Sequence, residues 1–159
     1  MPKKALVVYY SHSGNTEKAA KAISRIIDGT LFEIQPEAPY PKNYNIVVEQ
    51  AKKEIKADFH PPLKTKIDSL ESYDTVFIGS PNWWSTIAPP ITTFLAENDL
   101  SGKTIIPFFT HGGGGAGHIE RDIAKLCPGS KLLPGLSIYG SDCGDAKISA
   151  WLQKIGIIK

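Results

Sequence analysis

Residues 4–27 read KALVVYYSHSGNTEKAAKAISRII, and a change of period inside this stretch decides the fold. Lys4 to Tyr9 is nearly all apolar and β-branched at its centre, the composition of a strand covered on both faces, as in a parallel sheet. From Asn15 the period turns helical: Ala19, Ala20, Ile23, Ile26 and Ile27 share one face, with Lys18, Lys21 and Arg25 outside. The strand and the helix are joined by a short polar loop, Ser11-His12-Ser13-Gly14-Asn15-Thr16.

The same alternation recurs along the chain. Strands are predicted at Thr30 to Ile34, Asp74 to Gly79, Lys103 to Phe109 and Leu132 to Tyr139, the last interrupted or delayed by Pro134. Helices are predicted at Asn15 to Ile27, Tyr44 to Asp58, Ile91 to Glu97, Gly117 to Leu126 and Asp145 to Ile155. Ile46, Val47, Ala51 and Ile55 form the inward face of the second helix, and Pro89-Pro90 opens the third, where proline fits the first turn. Pro36, Pro39 and Pro41 forbid regular structure before the second helix. Five strands alternating with five helices predict an open, five-stranded parallel sheet covered on both faces, in one domain over residues 1–159.

Composition excludes other classes. Hydrophobic residues at 42% argue against disorder. Two cysteines, Cys127 and Cys143, make no disulfide scaffold. No apolar run is long enough to span a membrane, and Ala5 to Tyr10 is too short for a signal peptide, so a cytoplasmic protein is expected. The formal charge is +2, split unevenly: eleven basic and seven acidic residues up to Lys66, seven and nine after it. With two arginines and no basic stripe, nucleic-acid binding has little support.

Ligands of such sheets sit beyond the C-terminal ends of the strands, so three loops are informative. Ser11 to Thr16 offers hydroxyls, an amide and backbone N–H groups at a helix N-terminus, a seat for a phosphate as well as a plain N-cap. It lacks the nucleotide-triphosphate loop and the Gly-x-Gly-x-x-Gly dinucleotide pattern. It also lacks the Cys and Arg of a cysteine phosphatase, and no acidic residues stand at strand ends as in a phospho-acceptor domain. Ser80 to Thr86 carries adjacent Trp83 and Trp84, whose large apolar faces suit a flat aromatic ligand or the loop's own base. Thr110-His111 followed by Gly112 to Gly115 lets backbone approach a ligand closely. His111 and His118 have no convincing carboxylate or thiol spacing for a metal, and none is expected.

Taken together, these three loops resemble those of the flavodoxin family over nearly the whole chain. Ser11 to Thr16 resembles the Ser/Thr-x-Ser/Thr-Gly-x-Thr phosphate loop. Ile78 to Trp84, continuing to Pro89-Pro90-Ile91, resembles a bacterial short-chain subgroup with a Gly-x-Pro-x-Trp-Trp segment. The resemblance implies a three-layer sandwich with strand order 2-1-3-4-5 and non-covalent FMN. It further implies that Ser11, Ser13, Asn15 and Thr16 bind the FMN phosphate, with backbone help from His12 and Gly14. Pro81, Asn82, Trp83 and Trp84 would line the ribityl chain and ring, while Thr110, His111, Gly112 and Gly113 approach the pyrimidine side. Asp142 and Asp145 stand near the final turn, where a carboxylate would lower the flavin potential, and Asp142 is counted with the cofactor residues. Two departures stand out: familiar electron-carrier members are strongly acidic, and many carry an aromatic where this chain has glycines.

The implied function is one-electron transfer between redox protein partners, with no catalytic residue of the chain's own. An NAD(P)H-dependent reductase acting on small quinone-like acceptors, and a cofactor-free interaction domain, are the alternatives. No membrane partner is expected.

Overall fold

The computed structural model describes residues 4–159. Strand β1 (Ala5–Tyr9) is followed by α1 (Asn15–Ile27), β2 (Thr30–Glu33) and α2 (Tyr44–Lys56). After β3 (Thr75–Pro81) come α3 (Pro89–Glu97), β4 (Thr104–His111) and α4 (Ile119–Leu126). The chain ends with β5 (Lys131–Leu132), β6 (Leu136–Tyr139) and α5 (Asp145–Lys154). Among the described residues these strands all pair in parallel, in the order β2-β1-β3-β4-β5, with β6 beside β4.

β5 and β6 together fill the fifth position. β5 pairs with Thr104 and Ile105, and β6 pairs with Phe108 to His111 of the same strand. The gap falls where Pro134 and Pro107 face each other's strand, two residues without an N–H to give the ladder. Gly135 sits so close there that a Cβ would lie 2.8 Å from the Pro107 carbonyl. The interruption expected from Pro134 is therefore present as a break between two short strands.

Alternate residues of the central strands serve two cores, which makes the three layers. Leu6 and Val8 of β1, with Val76, Ile78, Ile105 and Phe109, pack under α3 and α4 through Ile91, Phe94, Ile119 and Ile123. Val7 and Tyr9, with Phe77, Ile106 and Phe108, pack under α1 and α5 through Ala19, Ile23, Ile148 and Leu152. The period of two in each strand assigns these sides.

Three details differ from the sequence reading. Ile46 is 55% exposed rather than inward, because Val47 and Ala51 already fill the narrow buried stripe of α2. That helix ends at Lys56, and Asp58 has a left-handed φ of 49° that cannot continue it. α4 begins at Ile119 rather than Gly117, whose φ of 54° belongs to the preceding turn. Among the described residues no helix is long and apolar enough to cross a membrane.

Candidate functional site

The loop after β1 turns on Gly14, the N-cap of α1, with φ 99° and no atom within 4 Å of where a Cβ would stand. The Gly14 N–H donates to Ser11 Oγ at 3.1 Å, which folds the hexapeptide over the helix start. No side chain caps α1, so its first-turn amides face outward with the positive end of the helix dipole. Thr16 is buried, and its hydroxyl meets the buried Thr110 hydroxyl at 2.8 Å, tying this loop to the end of β4.

Trp83 and Trp84 part company. Trp83 turns inward and meets Tyr40, Tyr10 and His12 edge-on at 5.1, 5.6 and 5.9 Å between ring centroids. Trp84 is 49% exposed; its indole donates to the Val48 carbonyl of α2 at 2.9 Å, and Lys52 lies over its ring. A tight turn separates them, closed by reciprocal backbone bonds between Trp83 and Thr86, with Trp84 and Ser85 both at left-handed φ. Two non-glycine residues there cost backbone energy that the flanking bonds must hold.

Below Trp83, Tyr40 donates to Glu54 Oε1 at 2.5 Å. Burial first, then the neighbouring Glu54 carboxylate, pushes the Tyr40 and Tyr10 phenols well above their usual range. Both rings are thus neutral packing surfaces at ordinary pH.

The glycine loop is held from two sides. Asn82 donates its side-chain amide to the Gly115 carbonyl at 2.8 Å, and its backbone N–H to Thr110. The Gly113 N–H donates to His111 Nδ1 at 3.0 Å, and the His111 ring stands edge-on to Tyr139 at 5.5 Å.

These loops and α2 enclose a cleft of about 480 Å³, within the usual size of small-molecule sites, roughly 300–1,000 Å³. Its lining is polar along the loop after β1, through His12, Ser13 and Asn15, and apolar along α2, through Val47, Val48 and Ala51, with the two indoles adding aromatic surface. Among the described residues no Asp, Glu, Lys or Arg lines it.

Ten of the sequence-derived residues line this cleft: His12, Ser13, Asn15, Pro81, Asn82, Trp83, Trp84, Thr110, His111 and Gly112. Ser11, Gly14, Thr16 and Gly113 belong to the same loops but are not among the lining residues. Asp142 lies apart, exposed, with its carboxylate 3.3 Å from Lys147 Nζ, and Asp145 pairs with Arg25. The α2 wall and Gly140 were not anticipated. Val47 and Ala51 read as core positions, which they also are, and no local signal says which helix will roof a site. Among the described residues no group of three His, Cys, Asp or Glu is placed to hold a metal ion.

Residues 4–155 match the family model described as Flavodoxin. A crystal structure from Bacteroides eggerthii is 31% identical, covering 99% of this chain and 100% of its own, with a TM-score of 0.88. One from Bacteroides uniformis is 32% identical, covering 96% and 99%, with a TM-score of 0.86. A Lactobacillus acidophilus flavoprotein solved in complex with FMN is 25% identical, covering 94% and 99%, with a TM-score of 0.76. No curated protein sequence matches the chain.

Proposed function

Because this chain belongs to the flavodoxin family, we propose that its cleft holds FMN and that the protein transfers electrons between redox partners. The observation that carries the reading is the cleft itself: hydroxyls and an uncapped helix N-terminus along the loop after β1, apolar and aromatic surface along α2 and the loop after β3, and no fixed charge among its lining residues. That combination suits a molecule that carries both an anionic phosphate and a flat ring. The left-handed Gly14, with open space where a side chain would stand, leaves room for phosphate oxygens against the backbone.

In this reading Ser11, Ser13, Asn15 and Thr16 donate to the phosphate, with backbone help from His12 and from Gly14, whose N–H would have to leave Ser11 Oγ to take part. Pro81, Asn82 and the indole edge of Trp83 support the ring. Trp84, anchored on Val48 and Lys52, holds α2 as the ring's outer cover, which gives the Trp-Trp segment of the short-chain subgroup two unequal jobs. Thr110, His111, Gly112 and Gly113 present backbone and the His111 ring to the polar edge. Asp142, paired with Lys147, sets charge near the rim rather than contacting the ring. Bound FMN supplies the redox chemistry; the chain binds it, excludes water from one face and sets the surrounding polarity.

The family match over residues 4–155 supports a single domain across 1–159. We place it in the cytoplasm, acting on redox proteins. The alternative acceptor class, small quinones, draws support from the apolar α2 wall of the cleft.

Native purification followed by anaerobic reductive titration tests the reading. A yellow protein reduced in two resolved one-electron steps, with slow direct oxidation of NAD(P)H, is expected. A colourless protein that takes up no FMN would overturn it, and rapid NAD(P)H-to-quinone turnover without resolved steps would transfer it to the reductase.

A further inference from the structure

The cleft lacks any permanently charged side chain, so His12 and His111 are the groups lining it that can become cationic. Their hydrogen bonds commit the two rings oppositely. His12 Nε2 lies 2.8 Å from the Pro41 carbonyl oxygen. A carbonyl only accepts, so Nε2 carries a proton in the neutral ring as well as the charged one. Its Nδ1, with no hydrogen-bond partner among the described residues, is then a bare lone pair when the ring is neutral and a donor when it is protonated. His111 is the reverse. Its Nδ1 accepts from the Gly113 N–H, so its neutral ring already has Nε2–H to offer, and protonation would break the bond that shapes the glycine loop.

A phosphate dianion meeting a bare Nδ1 is repelled; meeting Nδ1–H it gains a charge-assisted hydrogen bond. We propose that His12 takes up one proton from solvent when the flavin phosphate enters the cleft, forming an Nδ1–H···O contact that selects phosphorylated over unphosphorylated flavin. This rests on the FMN reading above. His12 belongs to the same hexapeptide as Ser13 and Asn15 and lines the same cleft. Its ring is held at both edges, by Pro41 and by the face-to-edge contact with Trp83. Glu33, Glu37 and Lys64 are the charged groups that line with it an adjoining depression, together with Tyr10 and Tyr40. Lys42 follows Pro41 on the exposed side, and His111 stands across the cleft.

A proton taken up on binding must be recruited from an increasingly dilute supply as pH rises, so FMN affinity falls by up to about tenfold per pH unit. The phosphate's own second ionisation, near pH 6, is present with or without the imidazole. It cancels in the ratio of wild-type to His12→Asn affinity.

The experiment titrates apoprotein and His12→Asn with FMN and with riboflavin by flavin fluorescence, from about pH 5.5 to 8.5, across the imidazole range. In parallel, ring-nitrogen NMR of wild-type His12 reads the Nδ1 protonation state with and without FMN at the alkaline end. The expected result is a wild-type to variant FMN ratio that rises as pH falls, a flat riboflavin ratio, and an Nδ1 that gains its proton on FMN addition. A flat FMN ratio, or an Nδ1 that stays unprotonated in the FMN complex, would overturn the proposal while leaving FMN binding intact. Failure of wild type to bind either flavin would overturn both, and the NMR readout decides the matter if His12→Asn does not fold.

Discussion

Replacing Trp83 by Ala removes the centre of an aromatic cluster, and the structure sets the size of the loss. The indole makes three edge-on contacts, to Tyr40, Tyr10 and His12. Each such pair contributes about 0.5–1.5 kcal/mol beyond the area it buries. Three of them centre on about 3 kcal/mol, which lies at the lower edge of the range for truncating a large buried aromatic, about 3–5 kcal/mol. Trp83 is only partly buried, so the lower edge is the appropriate figure. That corresponds to roughly a 150-fold change in the folding equilibrium. Trp84→Ala is the internal control. It loses one exposed hydrogen bond to Val48 and a cation–π contact with Lys52, together about 1 kcal/mol. It also relieves no left-handed strain, since alanine at that φ is no easier. The assay is urea unfolding of both apoproteins, followed by tryptophan emission and circular dichroism. An equal or larger loss for Trp84→Ala, or a Trp83→Ala loss under about 1 kcal/mol, would refute the unequal division of labour between the indoles.

Three further outcomes follow from the packing. Gly79→Ala puts a Cβ 2.3 Å from the fully buried Phe108 ring; a loss of about 3 kcal/mol, at the upper end for overpacking, is expected in the same unfolding assay. Thr16→Val leaves the buried Thr110 hydroxyl without its 2.8 Å partner and should cost about 1–3 kcal/mol, with Thr16→Ser retaining most of the stability. Tyr9, Tyr10 and Tyr40 have phenols pushed up, chiefly by burial and then by nearby glutamates. Their folded forms keep the proton while the unfolded chain loses it above about pH 10. Stability is therefore fully present below that pH and falls as pH rises beyond it. Phenolate absorbance should show three of the six tyrosines titrating only as the fold opens.

Much of this architecture is written locally. The change of period between Tyr9 and Asn15 places β1, the phosphate-type loop and α1 in one reading, because strand and helix burial repeat differently. Pro134 marks the break in the fifth strand position for the same kind of reason, a missing N–H. The loops that line the cleft were legible because polar and glycine residues at strand ends have no packing reason to be there. The α2 wall was not, since Val47 and Ala51 obey a helical period whether they face a core or a cleft. The two tryptophans are chemically identical, and only the turn at Trp84 and Ser85 separates an inward ring from an outward one. The opposite commitments of His12 and His111 depend on Pro41 and Gly113, contacts that sequence spacing does not reveal for His12.

We place FMN in the cleft between the three strand-end loops and α2. Backbone NMR of the apoprotein during titration with FMN examines that placement residue by residue. The largest shifts are expected on residues 11–16, 81–84 and 110–113 and on the Val47–Ala51 face of α2, saturating at one FMN per chain. Shifts confined to other surfaces, or none at all, would contradict it.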